Sequence, residues 1–167
     1  GEEDPANPRV ATCANYALPE VREERLAIIE EVCDRYGADG LEMDDCLKDS
    51  PSRVFFKPSE ARQNAPILTD FVRQVRKLLD RIGDKRGEQL CLAARVHPVE
   101  DANLAAGMDE RTWLSEGLVD VLVVGMGFMP FTLRLDQWRE LGDRYGVPIY
   151  PSINTRPLFR LYKERLR

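Results

Sequence analysis

The sequence predicts an α/β protein of strand–helix repeats, the central part of a parallel β/α barrel of the TIM-barrel type. Three observations carry that expectation: short apolar segments recur, a helical pattern follows each of them, and one connection is long and polar. Gly40 to Asp44, Cys91 to Val96, Val119 to Gly125 and Pro148 to Ile153 have strand length and the apolar character of strands covered on both faces. Val10 to Ala14 is a weaker fifth segment.

Between them lie the helices. Pro19 to Tyr36 repeats Leu26, Ile29, Val32, Cys33 and Tyr36 at helical spacing, with proline in its first turn and Gly37 just beyond. Pro66 to Ile82 does the same through Ile67, Phe71, Val75, Leu78, Leu79 and Ile82, and is expected to stop at Gly83. Shorter helices are expected from Asp109 to Glu116 and from Leu135 to Tyr145, capped by Gly117 and Gly146. A helix after every strand calls for parallel strands and right-handed crossovers.

Two architectures satisfy that alternation. An open, doubly wound sheet of five strands would be complete in 167 residues, whereas a barrel needs about 250 residues. Length favours the sheet and local sequence the barrel. The Asp45 to Ala65 connection carries Phe55, Phe56 and several polar residues, and long connections after strands are where barrels build their sites. The chain is therefore read as one α/β domain, residues 1 to 167, covering about strands three to seven of a larger barrel, with Gly1 marking a cut or processed start.

Composition narrows the partners. Hydrophobic residues at 43% and charged residues at 32% are ordinary for a globular chain. A net charge of −5 argues against nucleic acid, which wants a basic face. The basic residues Arg156, Arg160, Lys163, Arg165 and Arg167 read as the solvated side of a helix buried through Leu158, Leu161 and Tyr162. No apolar run reaches the roughly 20 residues of a membrane span, and no leader opens this segment. Cys13, Cys33, Cys46 and Cys91 form no CxxC pair, so no metal is expected, and Cys33 and Cys91 read as small core residues. Neither Gly-x-Gly-x-x-Gly nor a Walker loop is present, so no cofactor is expected.

The chemistry concentrates in Asp39-Gly40-Leu41-Glu42-Met43-Asp44-Asp45-Cys46. Strand alternation turns Leu41 and Met43 toward the helices and Glu42 and Asp44 the other way. Two carboxylates on one covered face repel each other and lose solvation, which is how proteins ready a carboxyl group for acid chemistry. The structural alternative is that both are paired by an inward arginine, for which Arg95 is available on the next strand.

That motif is similar to the fourth strand of several sugar-cleaving barrels, among them chitinases and, more distantly, α-amylases. The wider stretch, Asn15-Tyr16-Ala17-Leu18-Pro19-Glu20-Val21-Arg22 and then Tyr36-Gly37-Ala38-Asp39-Gly40-Leu41-Glu42-Met43-Asp44, resembles bacterial glycoside-hydrolase-like barrel proteins. Asn64-Ala65-Pro66, Thr112-Trp113-Leu114, Gly117-Leu118-Val119-Asp120 and Gly146-Val147-Pro148-Ile149-Tyr150-Pro151 fit the same pattern. The resemblance spans about Asn15 to Asn154 and implies the barrel fold, a carbohydrate substrate or ligand, and a secreted or periplasmic location. It also implies Asp44 as nucleophile or electrostatic stabiliser, with Glu42 or Asp45 setting its charge.

One position departs from the pattern. Chitinases continue this strand to a glutamate that acts as the acid, and the matching residue here is Cys46, whose thiol cannot protonate a leaving alcohol as a carboxylic acid does. Amylases take their acid from the end of the next strand, which here reads Ala94-Arg95-Val96-His97, with Glu100 and Asp101 following in a loop that could reach in. A substrate-binding set is expected at the strand ends: Asn15 and Tyr16, Arg95 and His97, and Tyr150, Ser152 and Asn154. Arg95 suits a carboxylate of the protein or of an acidic sugar. The segment Gly125 to Phe131 offers aromatics to a sugar face or to a packing neighbour. The leading expectation is a carbohydrate-active hydrolase. The alternatives are a sugar-binding barrel that has lost its acid, marked by Cys46, and an open sheet binding a small ligand.

Overall fold

The computed structural model describes residues 14–44, 56, 59–125 and 135–152. Its elements follow the chain as α1 (Pro19–Glu30), a π-helical turn (Glu31–Arg35), β1 (Gly40–Asp44), α2 (Ala65–Arg86), β2 (Cys91–Val96), α3 (Glu100–Ala105), α4 (Glu110–Ser115), β3 (Val121–Val124), α5 (Asp136–Tyr145) and β4 (Ile149–Pro151). The four strands form one parallel sheet in the order β1-β2-β3-β4. Each described strand lies beside its predecessor, so the order never reverses and these strands contain no switch point of the doubly wound kind. Four of the five expected strands are present. The weaker segment from Val10 lies outside the described residues, apart from Ala14.

The sheet has one covered face. Leu92, Ala94, Val96, Leu122 and Val124 are fully buried, and Leu41, Met43 and Ile149 pack against the same core. α2 supplies Leu68, Phe71, Val72, Val75, Leu79 and Ile82 to it, the stripe expected from its spacing. Trp113 of α4 and Trp138 of α5 are also fully buried, with their indole N–H groups donating to Thr69 Oγ1 at 3.2 Å and the Pro98 carbonyl at 3.0 Å. Each ring thus buries its apolar area without stranding its donor.

Several boundaries differ from expectation. α2 does not stop at Gly83 but runs to Arg86 and is capped by Gly87 in the left-handed region, φ 70°. Gly83 is glycine for another reason: an added Cβ would lie 2.4 Å from the Glu88 carbonyl oxygen. The first helix passes into the π-helical turn at Glu31, and the extra residue per turn rotates its apolar face. Val32 and Tyr36 are consequently exposed, and only Cys33 of the expected stripe is buried. Cys91 is exposed rather than core, because the register sets it opposite Gly40 on the uncovered face.

The N-terminal ends of the strands are tied by a polar knot. Arg76 of α2, almost buried, donates to Asp80, to Asp120 Oδ2 at 2.8 Å and to the Leu90 carbonyl at 2.9 Å. Asp120 Oδ2 also accepts the Leu92 N–H at 2.7 Å. One arginine therefore joins α2, the start of β2 and the approach to β3.

Candidate functional site

Parallel register decides which side chains share the uncovered face. Glu42 lies opposite Ala93, Asp44 opposite Arg95, Arg95 opposite Val123, and Val123 opposite Tyr150. Glu42, Asp44, Arg95 and Tyr150 thus stand on the face away from Leu41, Met43, Leu92 and Leu122, as strand alternation requires. Asp44 ends β1, and Ser152 follows β4, so the polar groups gather toward the C-terminal ends of the strands.

Arg95 is the hub. Its Nη2 and Nε donate to Glu42 Oε1 at 2.6 and 3.0 Å, and its Nη1 donates to Ser152 Oγ at 2.7 Å. The same Nε lies 3.2 Å from Asp44 Oδ1. That oxygen is buried, and among the described residues no hydrogen bond reaches it. Among the described residues one guanidinium therefore serves two carboxylates and leaves Asp44 Oδ1 with unused acceptor capacity.

Reaching from β2 to Ser152 requires that β3 present no bulk at its end. Gly125 occupies that point with φ 150°, and a Cβ there would lie 2.6 Å from the Ser152 carbonyl oxygen. Glycine is what lets β4 approach closely enough for Ser152 to meet Arg95. The rest of the glycine- and aromatic-containing segment, together with Asp45, Cys46 and Asn154, lies outside the described residues.

The other expected site residues are placed differently. Asn15 Oδ1 accepts the Ala17 N–H at 3.0 Å, a local turn leading into α1. Tyr16 stacks edge-on against Phe71 of α2, centroids 5.3 Å apart, which places its ring in the helical layer. β2 ends at Val96, so His97 is a loop residue. Its Nδ1 accepts the Val99 N–H at 2.9 Å, and burial pushes the imidazole pKa below its ordinary value. The ring is thus favoured neutral, with its proton on Nε2. Glu100 and Asp101 are not loop residues: they open α3, where Glu100 pairs with Arg111 at 2.5 Å and Asp101 with Arg62 at 2.6 Å.

One group has no counterpart among the residues expected from the sequence. Glu110, in the first turn of α4, is 3% exposed, and burial pushes its pKa up to about 7. It has the protonation behaviour of a general acid without the position, since it is closed in between α3 and α4. Its neighbour Asn103 is fully buried. Asn103 is the one buried residue of α3.

Among the described residues no group of three or more His, Cys, Asp and Glu is placed to hold a metal ion, and no helix is long and apolar enough to cross a membrane.

Comparison with known proteins places the fold. No protein-family model matches the sequence, and no curated protein matches it. Among solved structures, the chain is similar to a glycoside hydrolase family 18 N-acetylglucosaminidase from Paenibacillus barengoltzii, with a TM-score of 0.57 at 17% identity. The match covers 81% of this chain and 45% of the enzyme, so the chain spans less than half of that enzyme's length. At this identity the likeness is one of fold.

Proposed function

We propose that this chain is the central part of a β/α barrel acting on carbohydrate, with Asp44 as its working carboxylate. The observation that carries the reading is the pairing of Asp44, whose buried Oδ1 receives no hydrogen bond among the described residues, to Arg95 at the C-terminal end of a sequential parallel sheet. Support comes from the fold likeness to an N-acetylglucosaminidase, and from the match of Asp39, Glu42 and Asp44 to the acidic strand of sugar-cleaving barrels. In a closed barrel the uncovered face becomes the interior, and a sugar hydroxyl or a developing oxocarbenium charge would meet Asp44 there. Glu42, already neutralised by Arg95, tunes the charge of the site rather than attacking.

A second reading, sugar binding without hydrolysis, is favoured by Cys46 at the acid position and by the two carboxylates of the uncovered face sharing one guanidinium. The complete protein, screened against oligosaccharides that include N-acetylglucosamine polymers, separates the two. Hydrolysis abolished by Asp44→Asn supports the first reading. Binding without turnover at any pH supports the second, and neither binding nor turnover removes both.

A further inference from the structure

The pattern of β2 continues past its last residue. The Val96 carbonyl accepts the Gly125 N–H at 2.9 Å, which carries the ladder toward β3 one step further. Asn103 takes over at the next residue: its Oδ1 accepts the His97 N–H at 2.7 Å, and its Nδ2 donates to the His97 carbonyl at 2.9 Å. Asn103 is fully buried, so both backbone groups of His97 are held from inside the protein. Burial alternates in step with this. Leu92, Ala94, Val96 and Pro98 are buried, whereas Ala93, Arg95 and His97 are only partly so. The period of two thus extends to Pro98 and sets the His97 side chain on the uncovered face, next along from Arg95.

The ring is fixed as well. Its Nδ1 accepts the Val99 N–H at 2.9 Å, and Trp138 donates to the intervening Pro98 carbonyl at 3.0 Å. Ending a strand would need only the backbone bonds; the bond to Nδ1 is separate and holds the imidazole itself. A ring nitrogen that accepts carries no proton, so the neutral ring has its proton on Nε2. Among the described residues nothing bonds Nε2. Where Glu42 and Asp44 offer acceptors, His97 therefore adds a fixed and unclaimed donor.

We propose, on the carbohydrate reading of this site, that His97 is a ligand-contacting residue whose Nε2–H donates to a hydroxyl oxygen of the sugar. A hydroxyl suits this face because it can accept from Nε2–H and give its own proton to a carboxylate. A purely cationic group would have no acceptor to offer His97. Because residues 97 to 99 are already held by these bonds, binding has little left to order there.

The test uses the complete protein with isotope-labelled histidine and soluble oligosaccharides of N-acetylglucosamine, glucose and xylose. Signals lost in His97→Gln identify the His97 ring. In the free protein at neutral pH, long-range proton–nitrogen spectra should show Nε2 protonated and Nδ1 bare. A ring protonated on Nδ1 would overturn the proposal with no sugar present. On titration with the sugar that binds, the Nε2–H signal should shift and saturate together with calorimetric binding. His97→Phe should weaken binding about three- to tenfold, the worth of one hydrogen bond, and His97→Gln, which keeps an N–H donor, should recover part of the loss. Binding that leaves the wild-type ring signals unmoved, or that His97→Phe retains in full, would overturn this proposal and leave the proposed function standing. A panel with no binder would remove both.

Discussion

Arg95 Nε stands 3.2 Å from Asp44 Oδ1, yet Asp44 Oδ1 receives no hydrogen bond from any described residue. The guanidinium is aimed at Glu42 and Ser152 instead, at 2.6 and 2.7 Å. Toward this arginine the two carboxylates are thus unequal: Glu42 Oε1 is hydrogen-bonded and Asp44 Oδ1 is only ion-paired.

That inequality is measurable. In double-mutant cycles by urea unfolding, Arg95→Met paired with Glu42→Gln should show the larger coupling, about 1 kcal/mol. Glu42 is 42% exposed at its side chain, which screens the pair and keeps the value modest. Arg95→Met paired with Asp44→Asn should couple less. Equal couplings would mean that Asp44 is bonded as tightly as Glu42.

Much of this site is legible in the sequence. Alternation in Leu41-Glu42-Met43-Asp44 separates the faces because a strand has a period of two, and the next strand offers Arg95 as the obvious counter-ion. β1 and β2 carry the expected bounds, since Gly40 and Cys91 begin apolar runs after turn residues. The parts that mislead are those where a residue's partner is far away in sequence. Tyr16 reads as a strand-end group for sugar recognition, and only the fold reveals Phe71 against it. Glu100 and Asp101 follow Pro98 and read as loop, because α3 has only six residues and too few turns to set a period. Glu110 sits in a first turn, where acids are ordinarily solvated at the helix N-terminus, and nothing in its local sequence marks it as buried.

Gly125→Ala tests the close approach of β3 and β4. The methyl group would meet the Ser152 carbonyl at 2.6 Å, and φ 150° disfavours any side chain. A loss of about 1–3 kcal/mol in unfolding free energy is expected. The Arg95–Ser152 bond should weaken with it, read as a change in the Arg95 side-chain NMR signals. Unchanged stability would show that the strand ends tolerate separation.

Breaking the knot at the other end should cost more. Asp120→Ala leaves nearly buried Arg76 with Asp80 and the Leu90 carbonyl, and deprives the Leu92 N–H of its side-chain acceptor. Destabilisation of about 2–4 kcal/mol is expected in thermal or urea melts. Arg81→Ala, which removes the exposed pair with Glu30, should cost less than about 0.5 kcal/mol.

Glu110 sets a pH dependence of stability with a definite sign. Its pKa rises from 4.5 to about 7 on folding, so the native state binds the proton more tightly than the unfolded state. The stabilising contribution is complete below pH 4.5, declines as pH rises, and is gone above about 7, a change of up to about 3 kcal/mol. Glu110→Gln should flatten this decline in unfolding free energies measured at intervals across the window. A wild-type chain that gains stability from this group on going from pH 5 to pH 8 would contradict the assignment.

The central claim is that Asp44 is the working group of a carbohydrate-active barrel, and comparing wild type with Asp44→Asn in the complete protein tests it most directly. The swap keeps the shape of the side chain and deletes its charge, so the fold should survive. Calorimetric and hydrolytic screening against a panel of oligosaccharides should find a sugar that wild type engages. Asp44→Asn should remove nearly all turnover, or weaken binding at least tenfold if the barrel only binds, which corresponds to about 1.4 kcal/mol. A folded Asp44→Asn protein that binds and cleaves the same sugar as well as wild type would contradict the account.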